Sequence, residues 1–402
     1  MFLSRLSMAP GDPILGLNEQ YSQDPRPGKV NLAVGVYHDE SGRIPLLDCV
    51  REAEDAQVAL RLPRGYQPID GATAFQEALL PVVFGLQPGT PRASRITTVQ
   101  TVGGTSALRL AADFLHRVSG VKSALISDPT WENHRGVLAS AGMDVGTYRY
   151  LPEGALQPDL DGLLADLEHT PAGTVVVLHA CCHNPTGYDL PAGAWALLID
   201  VMRRNGLIAL LDIAYQGFGD GLDEDAAPVR QFMDSDMPCL VAISFSKNFS
   251  LYGERVGALS VIAPDAATSE RVRSQLKVLI RTNYSNPPSH GAHLVSRVLS
   301  TAVLREQWRG ELDGVRVRIQ RMRHRLVAAL HEAGMDRDLS FITRQKGMFS
   351  YSGLTVEEMR HLRETSGVYG VDSGRICIAA LNDGNVDRVA QAIALACHPH
   401  RK

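Results

Sequence analysis

The chain has 402 residues, of which 45% are apolar and 21% are charged, and its formal net charge at pH 7 is −4. This length and composition are ordinary for a globular protein of about two domains. The small net charge excludes a global basic field for nucleic acid or anionic membranes, and no apolar run reaches the roughly 18 residues of a membrane span. We therefore expect a protein that binds neither nucleic acid nor a membrane.

The N-terminus and the cysteines indicate the cellular compartment. Residues 1–13 lack the apolar core of a signal peptide and are interrupted by Pro10 and Gly11. The six cysteines do not follow the spacing of a disulfide framework, so we interpret them as reduced thiols. Both features predict a cytoplasmic protein.

The central region predicts the fold class. Between about residues 95 and 265, short apolar runs alternate with helical patterns such as 105–118 and 191–206. The predicted strands are 95–100, 123–128, 144–150, 174–180, 207–212, 239–245 and 257–263. Continuous apolar strands alternating with helices are typical of a three-layer α/β/α fold with a mostly parallel sheet. Ligands bind at the carboxyl ends of the strands in such sheets.

Both chain ends predict a second, smaller α+β domain. Residues 17–45 indicate short strand and turn, and a long helical pattern at 305–334 ends at Gly334, where a glycine C-cap is expected. The basic stretch 316–326 within that pattern is interpreted as the solvated face of a connecting helix. The predicted organisation is an N-terminal arm at 1–16, a small domain from 17–45 and 310–402, and a large domain at 46–309.

The first segment with chemical character follows the strand at 95–100. Gly103 and Gly104 permit close approach of a ligand to the backbone, and Thr105 lies at a helix start. Free N–H groups at the positive end of a helix dipole form an anion site. The alternative is an ordinary helix entry without a ligand.

The second segment is the run CCHNPTG, which begins at Cys181. Adjacent cysteines on a strand point to opposite faces and chelate poorly, so we expect no metal site here. Asn184 stands before Pro185, which disfavours a helical conformation and lets the amide point into a cleft. A turn-forming Asn-Pro pair fits the same spacing equally well.

Two further segments place a carboxylate and an amine at the same predicted edge. Asp212 ends an apolar strand and Tyr215 follows it, although a helix N-cap is an equal alternative for Asp212. The strand at 239–245 leads to Lys247, whose ordinary interpretation is an exposed lysine. About 35 residues separate Asp212 from Lys247, enough for one strand–helix–strand crossover, so their strands can be neighbours.

Together the four segments suggest one site. It contains an anion cradle, a carboxylate, an aromatic hydroxyl, an amide and one amine. The cradle residues are Gly104, Thr105, Ser244, Ser246 and Arg255. Pyridoxal phosphate needs such a set, because Lys247 can bind its aldehyde, Asp212 its pyridine nitrogen, and Tyr215 and Asn184 its phenolic oxygen.

With these residues the sequence resembles the fold-type I pyridoxal-phosphate aminotransferases of the aspartate and aromatic amino-acid (tyrosine) subgroup. The resemblance runs over residues 12–397 and includes NLAVGVYHDESG, QTVGGTSALR, SDPTWENH, CCHNPTG, DIAYQGFG, SFSKNFSLYGERVG and IRTNYSNPPSHG. The stretches SDPTWENH and SLYGERVG look more like bacterial aromatic-amino-acid aminotransferases. One departure is Ser106, where the family often has glycine.

The resemblance implies roles that spacing does not supply. Trp131 would stack on the cofactor ring and contact substrate, and His134 would hydrogen-bond behind Asp212. Gly35 and Asn184 would contact substrate, and Arg375 would bind its α-carboxylate in a bidentate pair. Arg281 and Tyr66 would reach across a homodimer interface, to a substrate side-chain carboxylate and to the cofactor phosphate respectively. Arg281 and Arg375 as surface charges, and Trp131 as a core residue, are the alternatives.

The resemblance implies transfer of the amino group of phenylalanine, tyrosine or aspartate to 2-oxoglutarate by a ping-pong mechanism. Lys247 would be the covalent anchor and proton carrier, with Asp212 and Tyr215 as catalytic partners. The nearest alternative is an aspartate aminotransferase selective for dicarboxylic amino acids. A different reaction on the same cofactor and a regulator with an aminotransferase-like sensor domain are more distant alternatives.

Overall fold

The structure is a computed structural model that describes residues 2–8, 14–61 and 63–397. Part of the predicted N-terminal arm, residues 1 and 9–13, lies outside the described residues. The chain forms two compact units. The smaller unit comprises Met1–Ile44, Ile319–Arg344 and Met348–Lys402, and the larger comprises Pro45–Arg318 and Gln345–Gly347. The predicted domain boundaries are 45/46 and 309/310.

The described helices are α1 Leu15–Gln23, α2 Asp48–Ala59, α3 Thr73–Leu79, α4 Gly103–Asp113, α5 Asn133–Ser140, α6 Leu160–Glu168, α7 Ala194–Arg204, α8 Leu222–Asp234, α9 Ala266–Asn283, α10 His290–Ser300, α11 Ala302–Glu332, α12 Val356–Ser366 and α13 Val386–Cys397. The described strands are β1 Val30–Asn31, β2 Ile96–Val102, β3 Ser123–Asp128, β4 Asp144–Arg149, β5 Val175–His179, β6 Ile208–Ile213, β7 Cys239–Ser244, β8 Val256–Ile262, β9 Phe349–Tyr351, β10 Val368–Tyr369 and β11 Arg375–Cys377. Among the described helices, none has the length and apolarity needed to cross a membrane.

The larger unit is built on a seven-stranded sheet of order β2-β8-β7-β6-β5-β3-β4. All seven strands predicted from the sequence are present within a residue or two of their predicted bounds, and β8 alone runs antiparallel to its neighbours. The prediction of a mostly parallel α/β sheet is therefore confirmed.

Helices cover this sheet because its central strands are apolar on both faces. Leu240 and Ala242 of β7 share a buried cluster with residues of α4, α5 and α9. Val241 and Ile243 alternate with them, are also buried, and must point to the opposite face. The helix α8 packs against β7 as well, so the carboxyl ends of the strands remain as the part of the sheet that can present polar groups.

The smaller unit contains two short strand pairs and several helices. β1 pairs in parallel with β10, and β9 pairs antiparallel with β11. The helix α12 begins with a capping box, in which the Thr355 side chain and Glu358 satisfy each other's backbone N–H groups. α12 packs against α13 in the same unit.

The prediction of strand and turn throughout 17–45 is wrong at its start, because α1 extends to Gln23. The helix ends before Asp24-Pro25, where a proline disfavours further helix. Lys29 Nζ donates to the carbonyl oxygen of Tyr21 in the last turn at 2.5 Å, and to that of Asp24 just beyond the helix at 2.7 Å. This contact from beyond the helix is invisible to local periodicity.

The interpretation of 316–326 as a solvated helix face is correct only in part. Arg321 and Arg325 are partly exposed and pair with Asp383 and Asp387 at 3.1 and 2.6 Å. Arg323 is instead 1% exposed. Gly334, two residues beyond the end of α11, has φ +75°, as expected for a C-terminal glycine.

Candidate active site

Several predicted site residues of the larger unit, among them Asn184, Asp212 and Lys247, lie at or just beyond the ends of β5, β6 and β7. The sheet register places His179 opposite Asp212 and Asp212 opposite Ala242. The strands that carry Asp212 and lead to Lys247 are therefore direct neighbours, which the crossover length allowed. Asp212 lies within β6 and so is not a helix N-cap.

The anion cradle forms where β2 passes directly into α4. α4 begins at Gly103, and the side chain of Val102, the residue at the N-cap position, makes no capping hydrogen bond to its first N–H groups. Arg255 donates from Nη1 to Ser246 Oγ at 3.1 Å and to the Tyr252 carbonyl at 3.1 Å. The Ser246 N–H donates to Ser244 Oγ at 3.3 Å. Uncapped helix amides beside a guanidinium and two hydroxyls suit a phosphate group.

Three glycines make this cradle possible. A Cβ at Gly103, which has φ +77°, would lie 2.4 Å from Arg255 Nη2, and one at Gly104 would lie 3.0 Å from Ser244 Cβ. A Cβ at Gly257 would lie 2.5 Å from the Gly103 carbonyl carbon. The backbone of β8 can therefore approach the cradle turn only because residue 257 has no side chain.

Asp212 is buried and paired from behind by a histidine. His134 Nε2 lies 3.2 Å from Asp212 Oδ2, and its Nδ1 lies 2.8 Å from Thr130 Oγ1. Burial raises the pKa of Asp212, but the hydrogen bond and charge of His134, with His179 and Lys247, outweigh it, so the pKa lies below its ordinary value. Trp131 packs edge-on to the His134 ring at 5.3 Å. The predicted contact of His134 is thus present.

Behind this pair lies a row of aromatic rings that the sequence did not predict. His179 lies 5.0 Å from His134 and 4.3 Å from His183, whose ring stacks on Tyr150 at 3.9 Å. Burial, followed by the charges of His183 and His134, holds the pKa of His179 well below 6.5. The row therefore presents neutral rings to the Asp212–His134 pair. His179 is the last residue of β5, but a single histidine there gives no signal in the sequence pattern.

Lys247 is half-buried, which excludes the interpretation as an ordinary exposed lysine. Its Nζ lies 4.9 Å from the centre of the Tyr215 ring. Burial lowers its pKa from 10.5 to about 8, the Asp212 carboxylate opposes this shift, and Arg255 reinforces it. Across the described chain, Nζ donates no hydrogen bond to a protein atom. An amine in this state is available to an electrophile near neutral pH.

Aromatic packing holds the backbone around Lys247. The Phe249 ring stacks on Trp308 at 4.8 Å and meets Phe245 at 5.6 Å. The Trp308 indole N–H donates to the Asn248 carbonyl at 2.7 Å. The residues on both sides of Lys247 are therefore fixed, while its amine remains available.

Tyr215 and Asn184 meet at the same edge of the sheet. Asn184 Nδ2 lies 3.4 Å from the Tyr215 hydroxyl, and both side chains are buried. The loop after Tyr215 is fastened by Asp225, which accepts from the N–H groups of Gly217, Gly219 and Asp220 at 2.8 to 3.0 Å. A phenol and an amide are therefore held side by side next to the lysine.

The prediction that the cysteine pair lies on a strand, with its side chains on opposite faces, is wrong. β5 ends at His179, and Cys182 has φ +51°, so the two cysteines do not alternate as on a strand. Potential ligand atoms of Cys181, Cys182 and Asp225 lie within 4.8 Å of one another. Burial raises the pKa of Cys182 well above 9.0, which disfavours the thiolate that metals bind. The absence of a metal stays a prediction.

Two predicted site residues of the larger unit stand apart from this group. The Tyr66 side chain is 94% exposed. Arg281 is exposed near the end of α9 and hydrogen-bonds Ser285 Oγ. Their segments are joined, because Asp70 pairs with Arg273 at 3.1 Å and Lys277 at 3.3 Å. Both residues therefore point outward from elements that are fastened together.

The remaining two predicted residues belong to the smaller unit. Arg375 is 1% exposed and donates from Nη2 to the Ala33 carbonyl at 2.8 Å. A Cβ at Gly35 would lie 2.5 Å from Phe349 Cζ. The interpretation of Arg375 as a surface charge is therefore wrong, since the guanidinium is held inside its unit.

Known proteins resemble this chain along nearly its whole length. The family model for aminotransferase class I and II matches residues 27–393. An aspartate aminotransferase of Pseudomonas aeruginosa is 51% identical over 97% of this chain and 98% of its own. An aromatic-amino-acid aminotransferase of Escherichia coli is 46% identical over 96% and 97%.

The solved structures agree with the sequence comparison. An aromatic-amino-acid aminotransferase from Burkholderia pseudomallei, covalently bound to pyridoxal phosphate, superposes with a TM-score of 0.95 and 51% identity, covering 98% of this chain and 99% of that one. The cytoplasmic aspartate aminotransferase of Saccharomyces cerevisiae gives a TM-score of 0.96 at 36% identity, covering 99% and 98%. By its sequence and its fold, this chain belongs to the class I and II aminotransferases.

Proposed function

We propose that this protein is a pyridoxal-phosphate-dependent aminotransferase that moves the amino group of phenylalanine, tyrosine or aspartate to 2-oxoglutarate. The observation that carries the proposal is the Lys247 amine, with a pKa of about 8, at the same sheet edge as the Asp212–His134 pair. Each of these groups has a counterpart on the cofactor, which supplies an electron sink for the substrate α-carbon when bound.

The residues fit the cofactor at both ends. The uncapped N-terminus of α4, with Ser244, Ser246 and Arg255, would hold the phosphate. Asp212 would pair with the ring nitrogen, and Lys247 would bind the aldehyde carbon. In addition, Trp131 would cover the ring, and Tyr215 and Asn184 would donate to its phenolic oxygen.

Once the substrate amine has displaced it from the aldehyde carbon, the free amine of Lys247 would carry the proton of the reaction. As the neutral amine it removes a proton from the substrate α-carbon, and as the ammonium it returns one, so a pKa near neutral serves both directions. Asp212 remains ionised because His134 supports its carboxylate, and it holds a proton on the ring nitrogen. The buried surroundings limit the access of water to these transfers.

Two arginines would bind the substrate carboxylates. Arg375 would take the α-carboxylate that all amino acids share, and Arg281 the side-chain carboxylate of aspartate, glutamate and 2-oxoglutarate. Because Arg281 is exposed and held by a hydroxyl rather than by an acidic partner, it can move aside for an aromatic ring. The relatives carry both aspartate and aromatic names, and an aspartate-selective enzyme is the second candidate.

A substrate panel tests the proposal. Values of kcat/KM for phenylalanine, tyrosine and aspartate with 2-oxoglutarate should all be substantial in the wild type. Arg281→Ala should lower kcat/KM for aspartate about 100-fold, the cost of truncating one partner of a close charge pair, and that for phenylalanine only slightly. Arg271→Ala, at an exposed arginine of the same helix, is the control. Negligible turnover of both aromatic substrates would favour the aspartate-selective enzyme, and no transamination at all would refute the proposal.

We further propose a cytoplasmic homodimer with shared active sites. Tyr66 and Arg281 point outward from two segments joined through Asp70, and Val278, which precedes Arg281 on α9, is 59% exposed. A second copy placed against this surface would receive both residues. Twofold-symmetric dimers, in which the same surface patch of each copy contacts the other, are the commonest oligomers of soluble proteins.

A further inference from the structure

The surroundings of Arg375 contain an aromatic residue that the proposed function leaves without a role. In the smaller unit, Phe349 lies on β9 and Arg375 on β11, two strands that pair antiparallel. The Arg375 guanidinium carbon lies 4.4 Å from the centre of the Phe349 ring. Both side chains are buried, at 1% exposure for Arg375 and 4% for Phe349. A guanidinium over an aromatic face is attracted by the ring quadrupole, most strongly away from water.

The Phe349 ring is itself confined from the other side. An ideal Cβ at Gly35 would lie 2.5 Å from Phe349 Cζ and 3.2 Å from Cε1. Any side chain at position 35 would therefore clash with the ring, and either the Phe349 ring or the backbone at position 35 would have to move. The absence of a side chain at Gly35 is what lets Phe349 take the place it has beside Arg375.

The backbone of Phe349 is fixed as firmly as its ring. The buried Arg323 of α11 donates from Nη2 to the Phe349 carbonyl at 2.7 Å and from Nη1 to the Ile342 carbonyl at 3.3 Å. It also hydrogen-bonds Ser350 Oγ. Arg323, which the sequence analysis placed on a solvated helix face, thus holds strand β9 and with it Phe349.

We propose that Phe349 is a positioning residue that holds the plane of the Arg375 guanidinium through its aromatic face. A bidentate pair with a carboxylate needs that plane fixed. Together with the Ala33 carbonyl, which holds Nη2, the ring leaves the guanidinium one orientation before substrate arrives. The inference rests on the proposed role of Arg375 as the α-carboxylate ligand, and so it concerns every substrate alike.

The competing interpretation is that Phe349 only fills space in the core. Leucine would keep the site apolar but remove the ring face. Tyrosine is unsuitable as a conservative variant, because its hydroxyl would project from Cζ toward Gly35. A phenylalanine fluorinated at positions 3 and 5 keeps nearly the same shape and weakens only the negative face of the ring. The two substitutions therefore separate the electrostatic from the packing contribution.

The experiment uses holoenzyme with Phe349→Leu and with 3,5-difluorophenylalanine at position 349. Calorimetry measures the dissociation constants of 3-phenylpropionate and succinate. Steady-state kinetics with phenylalanine and with aspartate measure kcat and KM. We expect Phe349→Leu to raise both dissociation constants and both KM values about tenfold to thirtyfold, with a smaller change in kcat and an unchanged ratio between the two substrate classes. The fluorinated ring should give a rise of the same kind, about threefold.

Two outcomes overturn the inference. Wild-type dissociation constants for the fluorinated enzyme would mean that the ring acts only through its volume. A Phe349→Leu effect confined to one substrate class would mean that it acts elsewhere than on the common carboxylate. The variant Arg375→Ala distinguishes failure of this inference from failure of the proposed function. If that variant binds both carboxylates normally, Arg375 is not their ligand, whatever the Phe349 variants do.

Discussion

Among single residues, Lys247 shows most clearly how position changes chemistry. The side chain is identical to that of any surface lysine, but burial lowers its pKa to about 8. The neighbouring Asp212 opposes this shift, because a nearby negative charge favours the ammonium form. The balance leaves an amine that can lose and regain a proton close to physiological pH.

The pH dependence of Lys247 acylation in the cofactor-free enzyme follows from this balance. The neutral amine is the reactive form, so modification by acetic anhydride should rise with pH through a midpoint of about 8 instead of 10.5. Mass spectrometry of the peptide that contains Lys247 measures it. Asp212→Asn should move the midpoint to lower pH, since the opposing charge is removed. A midpoint near 10.5 in the wild type would show that the amine is solvated.

At residue level, the sequence indicated the reactive side chains better than the side chains that pack behind them. Asp212, Tyr215, Asn184 and Lys247 could be chosen because polar groups at the ends of apolar strands need a reason to be there. His179 could not, since a single histidine at a strand end carries no periodic signal. Its position depends on the register of β5 against β6, which only the folded sheet fixes.

At the level of elements, the site depends on backbones that come unusually close. β2 and β8 pair along their whole length up to Val102 and Val256. The next residue of β8, Gly257, lies against Gly103 at the start of α4. The seven strands were predictable because short runs rich in apolar and β-branched residues alternate with helical patterns. The close approach was not predictable, because it joins residues about 150 positions apart.

Gly257→Ala should therefore disturb both stability and the anion cradle. The new methyl group would lie 2.5 Å from the Gly103 carbonyl carbon and 2.8 Å from the Ile243 carbonyl oxygen, and overpacking of this kind costs about 1–3 kcal/mol. Urea unfolding measures the loss, and equilibrium dialysis measures a weaker affinity for pyridoxal phosphate. Gly253→Ala, which meets nothing within 4 Å, is the matched control. Equal behaviour of the two variants would contradict the close approach.

The long helix α11 shows where an element-level prediction is incomplete. Its length and its C-terminal glycine follow from periodicity and composition. Its basic residues, however, have unlike environments: Arg321 and Arg325 pair with acidic residues at the surface, and Arg323 is buried against carbonyl oxygens. A run of alternating arginines does not reveal which of them the fold removes from water.

At the scale of the whole molecule, the division into two units crosses a continuous element. The boundary at Arg318 and Ile319 lies inside α11. No loop, proline or change of composition marks it there, so the sequence placed the boundary at 309/310 instead. Residues 345–347 belong to the larger unit, and no pattern in the sequence indicates this either. Domain division follows tertiary contacts, which local patterns do not encode.

Sharing of active sites between two copies can be tested with paired variants. Lys247→Ala and Arg281→Asp should each transaminate aspartate poorly. If each site takes its lysine from one chain and its arginine from the other, dissociating and reassociating an equal mixture should restore about a quarter of wild-type activity toward aspartate. Size-exclusion chromatography with light scattering gives the oligomeric state. No recovery in a mixture that forms mixed dimers would mean that each chain serves its own site.

In the proposed function, the amine of Lys247 binds an aldehyde whose ring nitrogen faces Asp212. Reducing the purified holoenzyme with borohydride and mapping the labelled peptide tests this directly. We expect one pyridoxyl group per chain, on Lys247, and its loss in Lys247→Ala. A pyridoxyl group on another lysine, or none on a protein that contains the cofactor, would mean that Lys247 is not the anchor.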